Sequence, residues 1–266
     1  MTKIITTGCS FTHAPNSWAN YLKEKYEWMN INNIAHGGAG NQLNIRNTLT
    51  EIYSNTSIYT HCIAQISGIN RFELAIDNPI VHEQIGDFII TKEYYSWIKS
   101  TGDQKWWRDE GLKQENFENM RHHKIVGDAL EAYVKHCHSE VNQIFQTLMH
   151  ILHLQTVCQQ KGIRDFYFCW KNEFEQYMDQ IKKSKELYVW WNRINWDKFY
   201  FFEKYGGISE WGIYNGYAGD LRDDHMHNPP QGWIINKNKK EMLGHPSTEC
   251  HTAFAEQIIK PWINNA

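Results

Sequence analysis

A chain of 266 residues with 41% hydrophobic and 14% aromatic side chains holds enough apolar material for one large α/β domain or two small ones, which excludes global disorder. A formal net charge of −3 excludes the strong basic field of a nucleic-acid binder, and no apolar run approaches the roughly 20 residues of a membrane span. The six cysteines are scattered with no Cys-x-x-Cys pair, and the N-terminus is strand-like from Lys3, without the apolar segment of a signal peptide. Both features read as a cytoplasmic protein with reduced thiols.

The first predicted element is the β-branched run Ile4-Ile5-Thr6-Thr7, which reaches Gly8-Cys9-Ser10. A helical pattern follows over residues 16–26, capped by Asn16 or Ser17. Ser10 then stands at the carboxyl end of a strand, where open α/β sheets bind ligands. The plainer reading makes Ser10 a helix cap or a turn former. Met29 to Ile34 is a second strand, followed by Asn33-Ile34-Ala35-His36-Gly37-Gly38-Ala39-Gly40-Asn41. Its glycines let the backbone approach a ligand and turn N–H groups outward. The turn lacks the Gly-Lys-Ser/Thr ending of a P-loop and the spacing of a dinucleotide fingerprint. Residues 41–54 return to a helical pattern, and Ile58 to Ile66 is a third strand ending in Ser67-Gly68-Ile69-Asn70-Arg71. If the three strands are parallel neighbours, their three polar turns lie side by side.

From about 74 to 124 the periodicity breaks down into polar and aromatic sequence. A structureless loop of that length is unusual, so this reads as an insertion with its own short elements, a lid or wall over the sheet. Residues 127–161 are helical in period, with Gly162 as the C-cap; Asp165 to Trp170 is a fourth strand and 173–182 a short helix. A second aromatic-rich stretch runs over 186–235, and the twelve Trp exceed what a core needs. These rings form either the insertion's core or a platform that stacks sugars or bases. The chain closes with Leu243-Gly244-His245-Pro246-Ser247 and an amphipathic helix bearing Phe254, Ala255, Ile258 and Ile259. No internal repeat or low-complexity linker is visible.

With these turns in place the chain resembles the SGNH (GDSL-type) hydrolase superfamily. Gly8-Cys9-Ser10-Phe11-Thr12 resembles its first block, with Ser10 at the nucleophile. Asn33 through Gly38 resembles the second, with Gly38 at the oxyanion glycine. Gly68-Ile69-Asn70-Arg71 resembles the third, with Asn70 at the oxyanion asparagine, and His245-Pro246-Ser247 resembles the last, with His245 at the base. The similarity covers roughly residues 1–73 and 241–263. The Gly-Cys-Ser-Phe-Thr variant is similar to SGNH-like proteins of bacteriophages, which implies the host cytoplasm or a virion as location. The resemblance implies a three-layer α/β/α sandwich with a central parallel sheet, the flavodoxin-like SGNH fold. It also implies a single domain over 1–266 with insertions at about 74–124 and 186–240, and no cofactor or metal.

Three positions depart from the family pattern. Cys9 stands where Asp is usual, Arg71 where the third block has Asp, and Met242 three before His245, where an Asp orients the ring. Glu241, Asp223 and Asp224 are the nearby carboxylates that could replace it. In a Ser-His-Asp enzyme, spoiling the orienting Asp costs about 10⁴ in kcat.

Acyl transfer needs a nucleophile, a base and an oxyanion cradle. His245 would take the Ser10 proton and return it to the leaving alcohol. The Ser10 and Gly38 N–H groups and the Asn70 amide would converge on the carbonyl oxygen. The expected activity is hydrolysis of a small-molecule or carbohydrate O-acyl ester, an O-acetyl group in particular. A catalytically weak or inactive binding module that uses an aromatic groove is the alternative, and an acyl transferase a third. Cys9 reads as buried packing rather than a nucleophile. His136-Cys137-His138, His150 with His153, and His225 with His227 have metal-like spacing but no partner carboxylates or Cys pair. His251, on the last helix, reads as structural.

Overall fold

The computed structural model describes residues 2–55, 58–76, 84–85, 88–92, 96–100, 132–217, 219–220 and 245–265. Two strand–turn–helix units and a third strand begin the chain. They are β1 (Thr2–Thr7) with the single-turn α1 (Ser10–His13) and α2 (Trp18–Lys25), then β2 (Met29–Asn33) with α3 (Asn41–Ser54), then β3 (His61–Ile66). The main sheet is completed by β8 (Arg164–Cys169) and β9 (Phe199–Tyr200), in the order β2-β1-β3-β8-β9. All four pairings are parallel, with Ile4 opposite both Ile31 and His61, and Ile63 opposite Phe166. This is the 2-1-3-4-5 order of doubly wound folds, with its topological switch between β1 and β3.

Strands buried on both faces read as continuous apolar runs, and β3 is buried at every position. Alternate residues feed two cores. Ile5, Cys62, Ala64, Ile66, Tyr167 and Cys169 pack with Ile45 and Leu49 of α3 and with Ile144, Leu148 and Ile151 of α4 (Glu140–Lys161). Ile4, Ile63, Phe166 and Phe168 face the other way, onto Trp18 and Leu22 of α2 and onto Cys250 and Phe254 of the C-terminal helix. The architecture is a three-layer α/β/α sandwich, as expected. That C-terminal helix runs as α8 (Thr248–Phe254), one π turn (Ala255–Ile259) and α9 (Lys260–Asn264), capped by the Ser247 side chain.

Several elements differ from the sequence reading. Ser10 starts α1 itself, whereas Ser17, one of the two expected caps, does cap α2 with its side chain. The helical pattern of 127–161 is divided. A π turn at Tyr133–Cys137 ends before Ser139, whose hydroxyl accepts from the Asn142 N–H and starts α4 afresh. Gly162 ends α4 in the left-handed conformation, φ 67°, where glycine carries no Cβ penalty. The fifth strand, β9, is only two residues long and so has no period to detect. It is pinned by the ion pair between Lys198 Nζ and Asp165 Oδ1 of β8, at 2.7 Å.

Within the stretch 74–124, the described backbone forms part of a separate antiparallel sheet. Its strands β4 (Glu73–Ile76), β5 (Gln84–Ile85), β6 (Phe88–Lys92) and β7 (Ser96–Ser100) lie in the order β4-β7-β6-β5. Beyond β8 come α5 (Met178–Lys183), α6 (Lys185–Trp191) and α7 (Ile208–Tyr214). The rings between them belong to the core: Trp191 and Trp196 lie 4.0 Å apart and both meet the buried Phe174 edge-on. Finally, β10 (Gly219–Asp220) pairs antiparallel with β11 (His245–Pro246).

Candidate active site

The turn after β1 is shaped by a side chain from its neighbour. Gln65 of β3 is buried, and its Oε1 accepts the Thr12 hydroxyl at 2.7 Å. Thr12 Oγ1 in turn accepts the Trp18 indole N–H at 3.2 Å. The Gln65 amide also lies 3.5 Å from Cys9 Sγ. Only a glycine fits over this amide. A Cβ at Gly8 would stand 2.6 Å from both Gln65 Oε1 and Thr12 Oγ1, at a φ of 156°. Cys9 is fully buried and engaged in this packing, which leaves Ser10 as the polar group at the strand's end.

His245 reaches Ser10 from the far end of the chain. Its Nε2 lies 2.6 Å from Ser10 Oγ, across 235 residues of sequence. The hydroxyl is placed to donate to Nε2, the direction a general base requires. Three features hold the imidazole. Its backbone is clamped in β11, Ser247 starts α8 immediately behind it, and its ring packs on Phe11 at 4.8 Å between centroids. Asp220 is its register partner across the β10–β11 ribbon.

The second block is tied to the first. Asn33 donates from Nδ2 to the Thr12 carbonyl at 2.8 Å and accepts the Thr6 hydroxyl at 3.1 Å, while the His36 N–H donates to the Gly8 carbonyl at 3.2 Å. Gly38 follows with φ 70°, a left-handed turn that suits glycine. The third block is tied to the second. Asn41 exchanges hydrogen bonds with the Ser67 backbone, its Oδ1 accepting at 2.8 Å and its Nδ2 donating at 3.0 Å. The Ser67 hydroxyl donates to the Ala39 carbonyl at 2.9 Å. The turns carrying Ser10, Gly38 and Asn70 thus lie together at the carboxyl ends of β1, β2 and β3.

Asn70 donates from Nδ2 to the Tyr177 hydroxyl at 2.6 Å, while its Oδ1 is buried without a hydrogen-bond partner. Glu173, also buried, accepts the Ile69 N–H and the Trp170 indole N–H, at 3.2 and 2.6 Å, and so fastens the third turn to the end of β8. Sequence reasoning did not single out Gln65, Glu173 or Tyr177. Gln65 had a signal, a lone amide in the apolar run His-Cys-Ile-Ala-Gln-Ile; the other two had none.

Two buried thiols, Cys169 and Cys250, are unsuited to ionise. Burial pushes Cys169 well up, with the Glu173 and Glu210 charges adding to it, and burial alone pushes Cys250 to about 12. His150 and His153 line a surface cleft of about 550 Å³ with Arg46 and Tyr53, and burial pushes His150 downward. No group of three or more metal-ligating side chains occurs among the described residues. His225, His227, Asp223, Asp224, Glu241 and Met242 lie outside the described residues. His251 is buried on α8, its ring meeting Phe11 edge-on.

Strand order and layering place the chain in the doubly wound α/β class, and the polar groups gather at its switch point, where such folds bind ligands. No protein-family model matches the chain. No curated protein matches it in sequence. Among solved structures it is similar to the psychrotrophic esterase EstA from Pseudoalteromonas sp., in a crystal structure inhibited by monoethylphosphonate. That likeness has 11% identity over 100% of both chains and a TM-score of 0.43. A likeness of that size carries no argument about function. Among the described residues, no helix is long and apolar enough to cross a membrane.

Proposed function

We propose that the protein is a serine esterase or deacylase of the SGNH type, a single domain over 1–266 with insertions at about 74–124 and 186–240. It cleaves an O-acyl ester, and O-acetylated carbohydrates are the substrates to screen first. The observation that carries this reading is the 2.6 Å contact between Ser10 Oγ and His245 Nε2 at the carboxyl end of β1. His245 takes the hydroxyl proton as Ser10 attacks the ester carbonyl. The tetrahedral oxyanion is met by backbone N–H groups at Ser10 and Gly38 and by the Asn70 amide. Collapse expels the alcohol, which takes the proton from His245; water then repeats the sequence and frees the acid. One oxyanion donor is typically worth about 3–4 kcal/mol of barrier. Asp220, in backbone register opposite His245, is the carboxylate to test for the orienting role of the Asp that the family carries three residues before the His.

The test is labelling with a fluorophosphonate, read by intact mass, wild type beside Ser10→Ala. A single adduct that disappears in the variant is the expected result. A folded wild-type protein that takes no adduct would overturn the mechanism and turn the search toward a non-catalytic ligand-binding role. The aromatic-groove version of that alternative has less support, because Trp191 and Trp196 are packed against the core.

A further inference from the structure

Arg71 stands one residue beyond Asn70, where the third block of the SGNH pattern has a carboxylate. Its guanidinium lies over the Trp170 ring, 5.0 Å from the centroid, and its Nη1 donates to the Ala39 carbonyl at 3.2 Å. Ala39 follows Gly38, so the cation bridges the turns of both oxyanion candidates and the end of β8. Its position is closely built. A Cβ at Gly40 would stand 3.0 Å from Arg71 Cβ, and one at Gly68 would stand 3.5 Å from Arg71 Nε, so the side chain runs across two glycines. Trp170 also meets Phe11 edge-on at 5.4 Å, and Phe11 packs on His245. Arg71 is therefore linked to the Ser10–His245 pair through two rings.

A second cation stands beside it: Lys171 Nζ lies over the same Trp170 ring at 4.4 Å. The two carboxylates of this turn are engaged elsewhere. Glu173 accepts from the Ile69 and Trp170 N–H groups, with Lys171 at 3.7 Å, and Glu210 accepts from the Asn172 and Gly207 N–H groups. Among the described residues, Arg71 pairs with no carboxylate, and its side chain makes a single hydrogen bond, to a neutral carbonyl. A guanidinium carries five N–H donors in a rigid fork that matches carboxylate and phosphate oxygens. Held over an indole and bonded to the Ala39 carbonyl, it has already lost part of the rotamer freedom that binding would otherwise remove.

We propose that Arg71, carried on Trp170 with Lys171 beside it, is an anion subsite of the active site, and that the preferred substrates are esters bearing a carboxylate or phosphate. The inference rests on the esterase reading for the choice of ester. The shared chemistry is an oxyanion received by the Arg71 fork, while the ester carbonyl lies at Ser10.

The experiment compares kcat/KM for 4-acetoxybenzoate, 4-acetoxyphenyl phosphate and the neutral methyl 4-acetoxybenzoate, each divided by its alkaline hydrolysis rate. The wild type is expected to favour an anionic ester roughly tenfold to hundredfold, chiefly through KM, the range expected for a charge-assisted hydrogen bond. Arg71→Met should collapse that preference to near unity and Arg71→Lys should keep part of it. Preference for the carboxylate alone or the phosphate alone names the anion. No preference in the wild type would overturn the proposal. Titration calorimetry of benzoate and phenyl phosphate against benzamide, on Ser10→Ala protein, reads the subsite without turnover. Anion binding there that is lost on adding Arg71→Met supports the subsite even if the fluorophosphonate test fails. Equal binding of the anions and benzamide would refute it. Should Arg71→Met fail to fold, Lys171→Gln must still lower the wild-type preference by several-fold, and an unchanged preference counts against the proposal.

Discussion

Replacing Gly8 with alanine should damage the turn that leads to Ser10 out of proportion to one methyl group. The new Cβ would stand 2.6 Å from Gln65 Oε1, 2.6 Å from Thr12 Oγ1 and 2.8 Å from Gln65 Cβ. The first two contacts can be relieved by rotating side chains, at the loss of the Thr12–Gln65 hydrogen bond. The third cannot, because Gln65 Cβ is fixed to β3, which is bonded to β1 in the same sheet. Overpacking a core of this kind costs about 1–3 kcal/mol, a backbone held at a strained φ about 1–3 more, and the lost hydrogen bond about 1. The expected sum is about 3–7 kcal/mol, read as a lower urea midpoint at unchanged slope and a Tm lowered by roughly 10–20 °C. Gln65→Ala removes Oε1 but keeps Cβ. The double variant should therefore recover only about 1 kcal/mol relative to additivity. A Gly8→Ala protein within about 1 kcal/mol of wild type would refute the claim that glycine is required by the approach of Gln65.

Four further outcomes are expected. Asp220→Asn should lower kcat by as much as about 10⁴ with KM little changed, and a variant with wild-type kcat would remove Asp220 from the mechanism. Tyr177→Phe deprives the Asn70 amide of its partner; it should cost about 1 kcal/mol in urea unfolding and lower kcat several-fold, whereas an effect on stability alone would deny Asn70 its oxyanion role. Burial pushes the Glu256 carboxyl up, but hydrogen bonds from Tyr26, Lys25, Tyr21 and Lys260 outweigh it and hold the group down at about 2. Its folded pKa is depressed, so its stabilisation is present above the usual carboxylate value of 4.5 and is lost as pH falls toward 2. The Tm gap between wild type and Glu256→Gln should be flat above pH 5 and close below 4.5; a gap independent of pH would contradict this. Lys198→Met strands the buried Asp165 carboxylate with only the Tyr167 hydroxyl and should cost about 3 kcal/mol, most of it recovered when Asp165→Asn is added.

Local pattern made the scaffold readable. The apolar runs at Ile4 and Ile63 are buried on both faces because each lies inside a parallel sheet, so their composition announces them without a partner's help, while the edge strand around Ile31 shows itself by alternation. Caps were equally plain where one residue decides them, as Ser17 and Gly162 do. The candidate site was legible as four short blocks, because each of Ser10, Gly38, Asn70 and His245 ends an apolar run or precedes a helix. What escaped were elements whose existence depends on distant chain. The two-residue β9 is a strand only because Tyr167 and Phe168 lie beside it, and the 127–161 pattern breaks where Ser139 offers its own cap.

By itself, then, the sequence determined the α/β class, the strands and the polar turns that end them. These follow from periodicity and turn preference, which act over a few residues. The tertiary structure alone decided that Ser10 and His245 meet across 235 residues and that Gln65 enforces Gly8. It also set Asp220 in register opposite His245 and placed Arg71 over Trp170. Those contacts depend on strand order and ribbon register, which are settled by burial of the whole core rather than by any local stretch of chain.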